Sequence, residues 1–242
     1  MNGVIASITL RQLLSRRRTL LLILLAGLML LVALGLRIGA DPITRPANSA
    51  RLLEIFGTAT LMPLVALLFG TAALGSEIEE GTAIYLLAKP VPRWVVLLTK
   101  VVIAAVCSML LTCIPVLLAG LIAGAGLPMS LAFTAATAVG SAIYAALFVA
   151  LSLITGRALV FGLAYVLIWE GVLAGLFAGT QTFSVRQQTL AIADALVDVP
   201  SAVFSAPLPL GTALVVGGLV LGAALAIGFR RLSHIEIAGE TA

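Results

Sequence analysis

The side chains that could carry out chemistry are few and widely spaced in this sequence. The only histidine is His234, so the chain holds neither an HExxH zinc motif nor a Ser-His or Cys-His pair within its apolar segments. The two lysines, Lys89 and Lys100, precede Pro and Val, whereas a phosphate-binding loop needs Gly-Lys-Ser or Gly-Lys-Thr. Neither catalysis nor nucleotide binding is therefore expected of the chain itself, and no metal or other cofactor is expected in it.

The two cysteines indicate packing rather than reactivity. Cys107 and Cys113 lie six residues apart in one apolar run. On a helix, this spacing separates them by about 9 Å along the axis and places them on different faces, so they cannot form a disulfide with each other. We expect both thiols to act as small apolar side chains.

The densest set of polar residues lies between Ser76 and Lys100, in the segment SEIEEGTAIYLLAKPVPRWVVLLTK. Thr82 can cap a short helix over Ala83–Ala88, which would present apolar side chains to a partner, and two prolines then end it. An amphipathic linker lying on a membrane surface gives the same pattern. The segment holds the acidic Glu77, Glu79 and Glu80, the pair Gly81 and Thr82, the apolar Ile84, Leu86 and Leu87, and then Pro90, Pro92 and Arg93.

Composition places these residues in a membrane protein. A hydrophobic fraction of 62% and a mean hydropathy of +1.22 lie far above the values of soluble domains. The uncharged run from Val101 to Gly156 is long enough for two crossings and must turn once, at Gly124–Ser130. The sequence predicts an all-α integral membrane protein with six transmembrane helices, at Thr19–Leu36, Ile55–Gly75, Val101–Ala123, Leu131–Ile154, Ala158–Ala178 and Leu210–Phe229.

The basic residues predict the orientation of the chain. Ten of the 14 lysines and arginines fall on the side that holds both termini, and the other four, Arg37, Arg45, Arg51 and Arg186, fall on the opposite side. The positive-inside rule therefore places both termini and the segment 76–100 in the cytoplasm. Residues 1–18 mix apolar and basic side chains in a pattern typical of an interfacial elbow helix before the first span.

The loop 179–209 is longer than a simple connection between two spans needs. Apolar residues are interleaved with Asp194 and Asp198 before three prolines. This pattern predicts one or two short helices, either interfacial at the outer surface or re-entrant. The whole chain, residues 1–242, then forms a single transmembrane domain.

Glu170 is the one ionisable residue inside a predicted span. An ionised carboxylate in lipid costs roughly 2.5–3.5 kcal/mol or more, so this side chain is expected to face protein or water. Two roles stay open: a structural hydrogen bond, or a function along a pathway or at the seam between two copies of the chain.

The segment EIEEGTAIYLLAKPVPRWVVLLTK closely resembles the permeases of the type-2 class of ATP-binding-cassette (ABC) exporters. The resemblance extends over the whole chain, with an elbow helix, six spans, two inside termini and a long outer loop before the last span. It implies that the short cytoplasmic helix is a coupling element that seats in a groove of an ATPase subunit. That role falls on Glu77, Glu79, Glu80, Gly81, Thr82, Ile84, Leu86, Leu87, Pro90, Pro92 and Arg93.

The same resemblance implies a transmembrane subunit of an exporter in the cell (inner) membrane. ATP and Mg²⁺ would bind two copies of a separate ATPase subunit, a second permease copy would complete a homodimer among membrane lipids, and no nucleic acid is expected. The apolar composition of the spans favours a lipid-like or drug-like amphipathic substrate. The alternatives are an ATP-independent channel or secondary carrier, and an ABC permease used for transmembrane signalling or enzyme maturation.

Overall fold

The computed structural model describes residues 17–79, 92–176 and 178–233 of the chain. Residues 1–16, with most of the predicted elbow helix, and residues 80–91, with most of the predicted coupling segment, lie outside the described residues. All regular structure in the described part is helical, and no strand occurs there. This confirms the predicted all-α class.

Within the described residues, six helices are long and apolar enough to cross a membrane, as the sequence predicted. The second and the fifth are each interrupted by a π-helical segment of 9 residues. The first span is Arg17–Gly39; the second joins Arg45–Leu52, the π-helical Leu53–Leu61 and Met62–Glu79; the third is Arg93–Ala123; the fourth is Leu127–Ile154; the fifth joins Ala158–Ala164, the π-helical Tyr165–Leu173 and Ala174–Leu176; and the sixth is Leu210–Ser233.

Two spans begin well before their predicted bounds. The second starts at Arg45 rather than Ile55, and the third starts at Arg93 rather than Val101. A charged residue ends an uncharged run in the sequence, but it does not end a helix, because the backbone groups on either side still need hydrogen-bond partners. Both helices are therefore longer than their uncharged cores.

A short turn joins the third and fourth spans where Gly124–Ser130 predicted it. Gly124 has a left-handed backbone conformation, with φ of 90°, and its N–H donates to the carbonyl oxygen of Gly120. Gly126 has φ of 83°, and Pro128 follows in the first turn of the fourth span, where a missing N–H costs nothing. The two glycines adopt a region of φ that other residues adopt only with strain.

The fourth span is the centre of the bundle. It contacts the second, third and sixth spans and also the helix Val185–Leu196, which we call the loop helix. Its large side chains Phe133, Tyr144 and Phe148 are fully buried. The first, fifth and sixth spans instead have only 28%, 22% and 17% of their most hydrophobic windows buried. Their outer faces are therefore available to lipid or to another chain.

Gly70 lets the second span approach the fourth closely. A methyl group on Gly70 would lie 2.7 Å from the Cβ of Phe148 and 3.2 Å from the carbonyl oxygen of Ala145. Neither atom belongs to the flexible end of a side chain, so the two helices would have to move apart to accept it. Small residues at such crossings allow membrane helices to pack closely.

Gly70→Ala should destabilise the folded chain by about 1–3 kcal/mol, because the added methyl group overpacks this crossing. Gly222→Ala is the matched control, since a methyl group there meets no atom within 4 Å. Thermal unfolding of both variants in the same detergent measures the difference. Equal unfolding temperatures would contradict the close approach of the two spans at Gly70.

Candidate functional site

The alternating direction of the spans gives the bundle two ends. One end holds Glu79, Arg93 and Ser233, and we call it the Arg93 end. The other holds Arg45 and Gly124, and we call it the Arg45 end. The predicted coupling segment joins two spans at the Arg93 end, whereas the chain enters the loop helix from the Arg45 end.

The loop helix, Val185–Leu196, is buried along most of its length. Ser184 is its N-cap, and the side-chain oxygen of Ser184 accepts a hydrogen bond of 3.1 Å from the backbone N–H of Gln187. Eight of the 12 residues of the helix are buried. Thr189 adjoins Gly140, near the middle of the fourth span. The helix therefore packs among the spans rather than resting on their ends.

The carboxylate of Glu170 holds the start of the loop helix. Only 3% of Glu170 is exposed. The hydroxyl of Ser184 donates to Oε2, while the backbone N–H of Val185 and the hydroxyl of Tyr165 donate to Oε1 at 3.0 and 3.2 Å. A carboxylate at a helix N-terminus also interacts favourably with the helix dipole. Of the two roles left open for Glu170, these bonds correspond to the structural one. A role along a pathway or at the seam between two copies stays a prediction.

A second glutamate binds the same turn of the loop helix. Glu54 in the second span forms an ion pair of 3.0 Å with Arg186. The side chains keep some exposure, 34% for Glu54 and 19% for Arg186, so solvent weakens the attraction between them. We call Glu54 and Glu170, together with the loop-helix residues that they bind, the glutamate clamp.

Both glutamates of the clamp lie in π-helical segments. Glu54 belongs to Leu53–Leu61 and Glu170 belongs to Tyr165–Leu173. A π-helical turn changes the direction in which side chains point along a helix, and such turns are frequent at functional sites. The two interruptions therefore occur where the second and fifth spans meet the loop helix.

The sequence alone does not single out Glu54, Ser184 or Arg186. Glu54 falls one residue before the predicted span Ile55–Gly75, and the other two fall in a loop whose packing the sequence does not specify. One signal could have found the ion pair. Glu54 and Arg186 carry opposite charges and flank apolar segments on the same predicted side of the membrane.

Two basic residues bond the third span to its neighbours at the Arg93 end. The guanidinium of Arg93 donates to the carbonyl oxygens of Leu232 and Ser233 in the last turn of the sixth span, at 2.9 and 2.6 Å. These carbonyls have no partner within their own helix, and a cation there also suits the helix dipole. Lys100 is fully buried and donates to the carbonyl oxygen of Ala73 in the second span at 2.8 Å. Lys100 therefore lies in the core rather than in a cytoplasmic loop.

Most of the predicted coupling residues lie outside the described part of the chain. Glu77 and Glu79 belong to the last turns of the second span, Pro92 is the N-cap of the third span, and Arg93 is its first residue. The coupling role of the segment stays a prediction. The residues outside the described part are Glu80, Gly81, Thr82, Ile84, Leu86, Leu87 and Pro90.

Metal ligands do not cluster in the described ranges 17–79, 92–176 and 178–233, where no group of three or more His, Cys, Asp or Glu side chains could hold an ion. Both cysteines are free thiols. Cys107 is buried, and the S–H of Cys113 donates to the carbonyl oxygen of Thr134 at 3.6 Å. The polar contacts described above are thus hydrogen bonds and one ion pair.

A model of the ABC-2 family transporter proteins matches residues 4–206. The chain belongs to the ABC-2 family. Curated proteins give no match to it. The matched region of this ABC-2 chain covers the first five spans, the loop helix and both glutamates of the clamp. The family predicted from the resemblance of the segment Ser76–Lys100 to ABC-2 permeases is therefore confirmed.

The family defines what kind of protein this ABC-2 chain is. It is a multi-pass membrane protein and a permease, the membrane component of an ABC transporter. ABC-2 permeases pair with an ABC ATPase subunit and are generally not catalytic themselves. Membership of the family therefore implies that this chain pairs with an ABC ATPase subunit.

Glu170→Ala should loosen the loop helix of the ABC-2 permease, because the Ser184 hydroxyl and the Val185 N–H lose their acceptor in a buried site. We expect a loss of about 1–3 kcal/mol of stability. Tyr165→Phe is the matched control: it removes one of the three hydrogen bonds but keeps the carboxylate, so it should cost about 0.5–1.5 kcal/mol. Thermal unfolding and the rate of proteolysis in residues 197–209 report the change, and equal losses in the two variants would exclude the clamp.

Proposed function

We propose that the chain is one of two identical permease subunits of an ATP-driven exporter, with two ATPase subunits bound at the Arg93 end. The position of the predicted coupling segment carries the proposal. Arg93, the last residue of the segment, is bonded to the sixth span, and Lys100 bonds the third span to the second. A force applied to the segment would therefore reach three spans directly.

Closure of the ATPase subunits on ATP would push on residues 76–93 and tilt these spans. The sixth span also contacts the loop helix, with Gly217 beside the side chain of Gln188. The glutamate clamp attaches the same loop helix to the second and fifth spans. Tilting of the sixth span would thus move the loop helix against the clamp and open a route at the Arg45 end.

The Arg93 end is proposed to face the cytoplasm. Ten of the 14 basic residues belong to this side of the chain, which the positive-inside rule favours. The ATPase subunits are then reached from the cytoplasm, and export runs across the cell (inner) membrane from the Arg93 end to the Arg45 end. Residues 1–18 would form the elbow helix at the cytoplasmic surface.

An apolar or amphipathic substrate fits this proposal. Leu24, Leu167 and Leu219, on the first, fifth and sixth spans, are exposed by 70%, 59% and 66%. A second copy packed against part of these surfaces would enclose a pathway with apolar walls. A secondary carrier would instead need ion-coupling groups within the spans, whereas the carboxylate of Glu170 is occupied by three donors. An exporter is therefore favoured over a carrier.

Thiol labelling tests the proposed orientation. In a background with Cys107→Ala and Cys113→Ala, Ser201→Cys should react with an impermeant maleimide in intact cells, whereas Ser233→Cys should be protected. Both serines are exposed, so the difference reports the side of the membrane rather than burial. Labelling of position 233 together with protection of position 201 would reverse the proposed direction of transport.

Leucine substitutions test the coupling to an ATPase. Leu86→Ala combined with Leu87→Ala should leave the chain inserted but lower copurification of the coexpressed ATPase at least tenfold, because each truncation removes about 1–3 kcal/mol of apolar burial. Leu20→Ala combined with Leu21→Ala is the matched control, since this pair is exposed by 65% and 69% at the same end of the bundle.

The same preparations separate the proposed coupling from its alternatives. The purified permease alone should hydrolyse no ATP, and hydrolysis should appear only with the copurified ATPase. Substrate efflux should fall in the Leu86/Leu87 variant in parallel with ATPase binding. Wild-type binding and efflux in that variant would reject the coupling role and favour a linker that rests on the membrane surface.

A further inference from the structure

Two arginines meet at the turn between the third and fourth spans, at the Arg45 end of the bundle. Arg37 lies in the last turn of the first span, and Arg45 is the first residue of the second span. A methyl group on Gly124 would lie 2.9 Å from both Nη1 of Arg37 and Cδ of Arg45. These two atoms are therefore no more than twice that distance apart, and we call Arg37 and Arg45 the arginine pair.

No carboxylate within the described residues forms an ion pair with the arginine pair. Glu54, at the same end, is bound to Arg186 instead. Asp41 follows Arg37 in the chain, but its Oδ1 accepts a hydrogen bond of 3.1 Å from the backbone N–H of Ile43. Two guanidinium groups this close together repel each other, and an anion between them would attract both. The arginine pair is therefore a concentration of uncompensated positive charge.

The arginine pair has hydrogen-bond donors that no protein group uses. Nη2 of Arg45 donates to the carbonyl oxygen of Ala40 at 3.1 Å, which holds this guanidinium in place, and Nε is buried. Nη1 of Arg45 and the guanidinium of the exposed Arg37 have no acceptor in the part of the chain that the structure describes. A guanidinium presents parallel N–H groups that match two oxygens of a phosphate or a carboxylate. The available donors therefore suit an oxyanion.

The helix termini at this turn offset only part of the charge. Arg37 lies at the C-terminus of the first span, and the arginine pair adjoins the C-terminus of the third span. Each C-terminus is equivalent to about half a negative charge, so the two together offset about half of the charge of two guanidinium groups. The carbonyl oxygen of Ala123, at the end of the third span, already accepts from the hydroxyl of Ser49. Positive charge therefore remains in excess.

Exposed apolar side chains lie about one helical turn from the arginine pair, toward the middle of the bundle. Leu34 precedes Arg37 by three residues and is 48% exposed. Leu121 precedes Gly124 by three residues and is 42% exposed. The first and third spans, which carry these leucines, pack against each other. A free phosphate would satisfy the arginines alone, whereas a phospholipid would also cover the leucines with its acyl chains.

We propose that the arginine pair binds the phosphate group of an anionic phospholipid whose acyl chains lie along the first and third spans. The phosphate oxygens accept hydrogen bonds from the guanidinium of Arg37 and from Nη1 of Arg45. An anionic lipid is favoured over a zwitterionic one, because a cationic headgroup amine would add positive charge beside the pair. The bound lipid touches the first span, the start of the second span and the turn between the third and fourth spans, so it holds these elements together.

Photolabelling of the purified full-length permease tests this binding, which requires neither an ATPase nor a direction of transport. The probe is phosphatidylglycerol that carries a diazirine near the carboxyl end of one acyl chain. Crosslinks should appear in the peptides that contain Leu34 and Leu121. Unlabelled phosphatidylglycerol should compete with the probe, phosphatidylcholine with the same acyl chains should compete about three- to tenfold less well, and inorganic phosphate at the same concentration should not compete.

Three single substitutions locate the headgroup. Arg37→Gln should lower labelling of both peptides about three- to tenfold, because it removes an exposed guanidinium that binds the phosphate. Arg37→Lys keeps the charge but loses the parallel donors, so its labelling should lie between those of Arg37→Gln and the wild-type chain. Arg51→Gln is the matched control: it removes the same charge from an exposed arginine outside the pair at the same end, and labelling should stay within about twofold of wild type.

Three results would overturn the proposal. Labelling that is equally strong in Arg37→Gln and Arg51→Gln would show that the arginine pair does not hold the headgroup. Equal competition by phosphatidylcholine and phosphatidylglycerol in the wild-type chain would exclude the preference for an anionic lipid, and this comparison decides the matter even if a variant fails to fold. Competition by inorganic phosphate as strong as that by phosphatidylglycerol would show that the site takes a free anion rather than a lipid.

Discussion

The contact between Glu170 and the first turn of the loop helix is the interaction on which the Arg45 end of the bundle depends. A carboxylate inside an apolar bundle needs donors, and its own segment supplies Glu170 with one, the hydroxyl of Tyr165. The first N–H groups of a helix need acceptors, because they find none in their own helix. Each satisfies the other here, through Ser184 and Val185. Separating them would deprive the Val185 N–H of its acceptor and leave Glu170 with the Tyr165 hydroxyl in place of three donors, so this contact fixes the loop helix to the fifth span.

The two ends of the bundle use opposite chemistries for the same purpose. At the Arg45 end, carboxylates from two π-helical segments bind the N-terminal turn of a helix. At the Arg93 end, the guanidinium of Arg93 binds the C-terminal carbonyls of the sixth span. Each charge matches the sign of the helix terminus that it meets. The loop helix and the sixth span contact each other. The first is anchored at its N-terminus by the two glutamates, and the second at its C-terminus by Arg93.

The sequence predicted the number and order of the spans because hydropathy and turn-forming residues are local signals. The turn at Gly124–Ser130 is the clearest example, since left-handed glycines and a first-turn proline act within a few residues. A prediction from hydropathy also ends each span at a charged residue. For this reason Lys100 was predicted to lie in a loop, although it lies in the core. The same prediction identified Glu170 as exceptional but not its donors. Two of its three donors, Ser184 and Val185, come from a loop whose position depends on packing against three other spans, which no local pattern encodes.

The turn that closes the third and fourth spans sets how these two helices can separate. The turn is short, so it cannot stretch to let the two helices move apart there. The hydroxyl of Ser49 in the second span also donates to the carbonyl oxygen of Ala123, just before the turn, at 3.0 Å. The two helices are therefore held most closely at this end, and a change in the angle between them moves their Arg93 ends the most. The third span has 31 residues and is about 46 Å long at 1.5 Å per residue. A rotation of about 5° about the turn moves the far end of the third span by about 4 Å, which is about three-quarters of the 5.4 Å pitch of a helix. A movement small enough to preserve side-chain packing near the turn therefore becomes a large displacement at the Arg93 end.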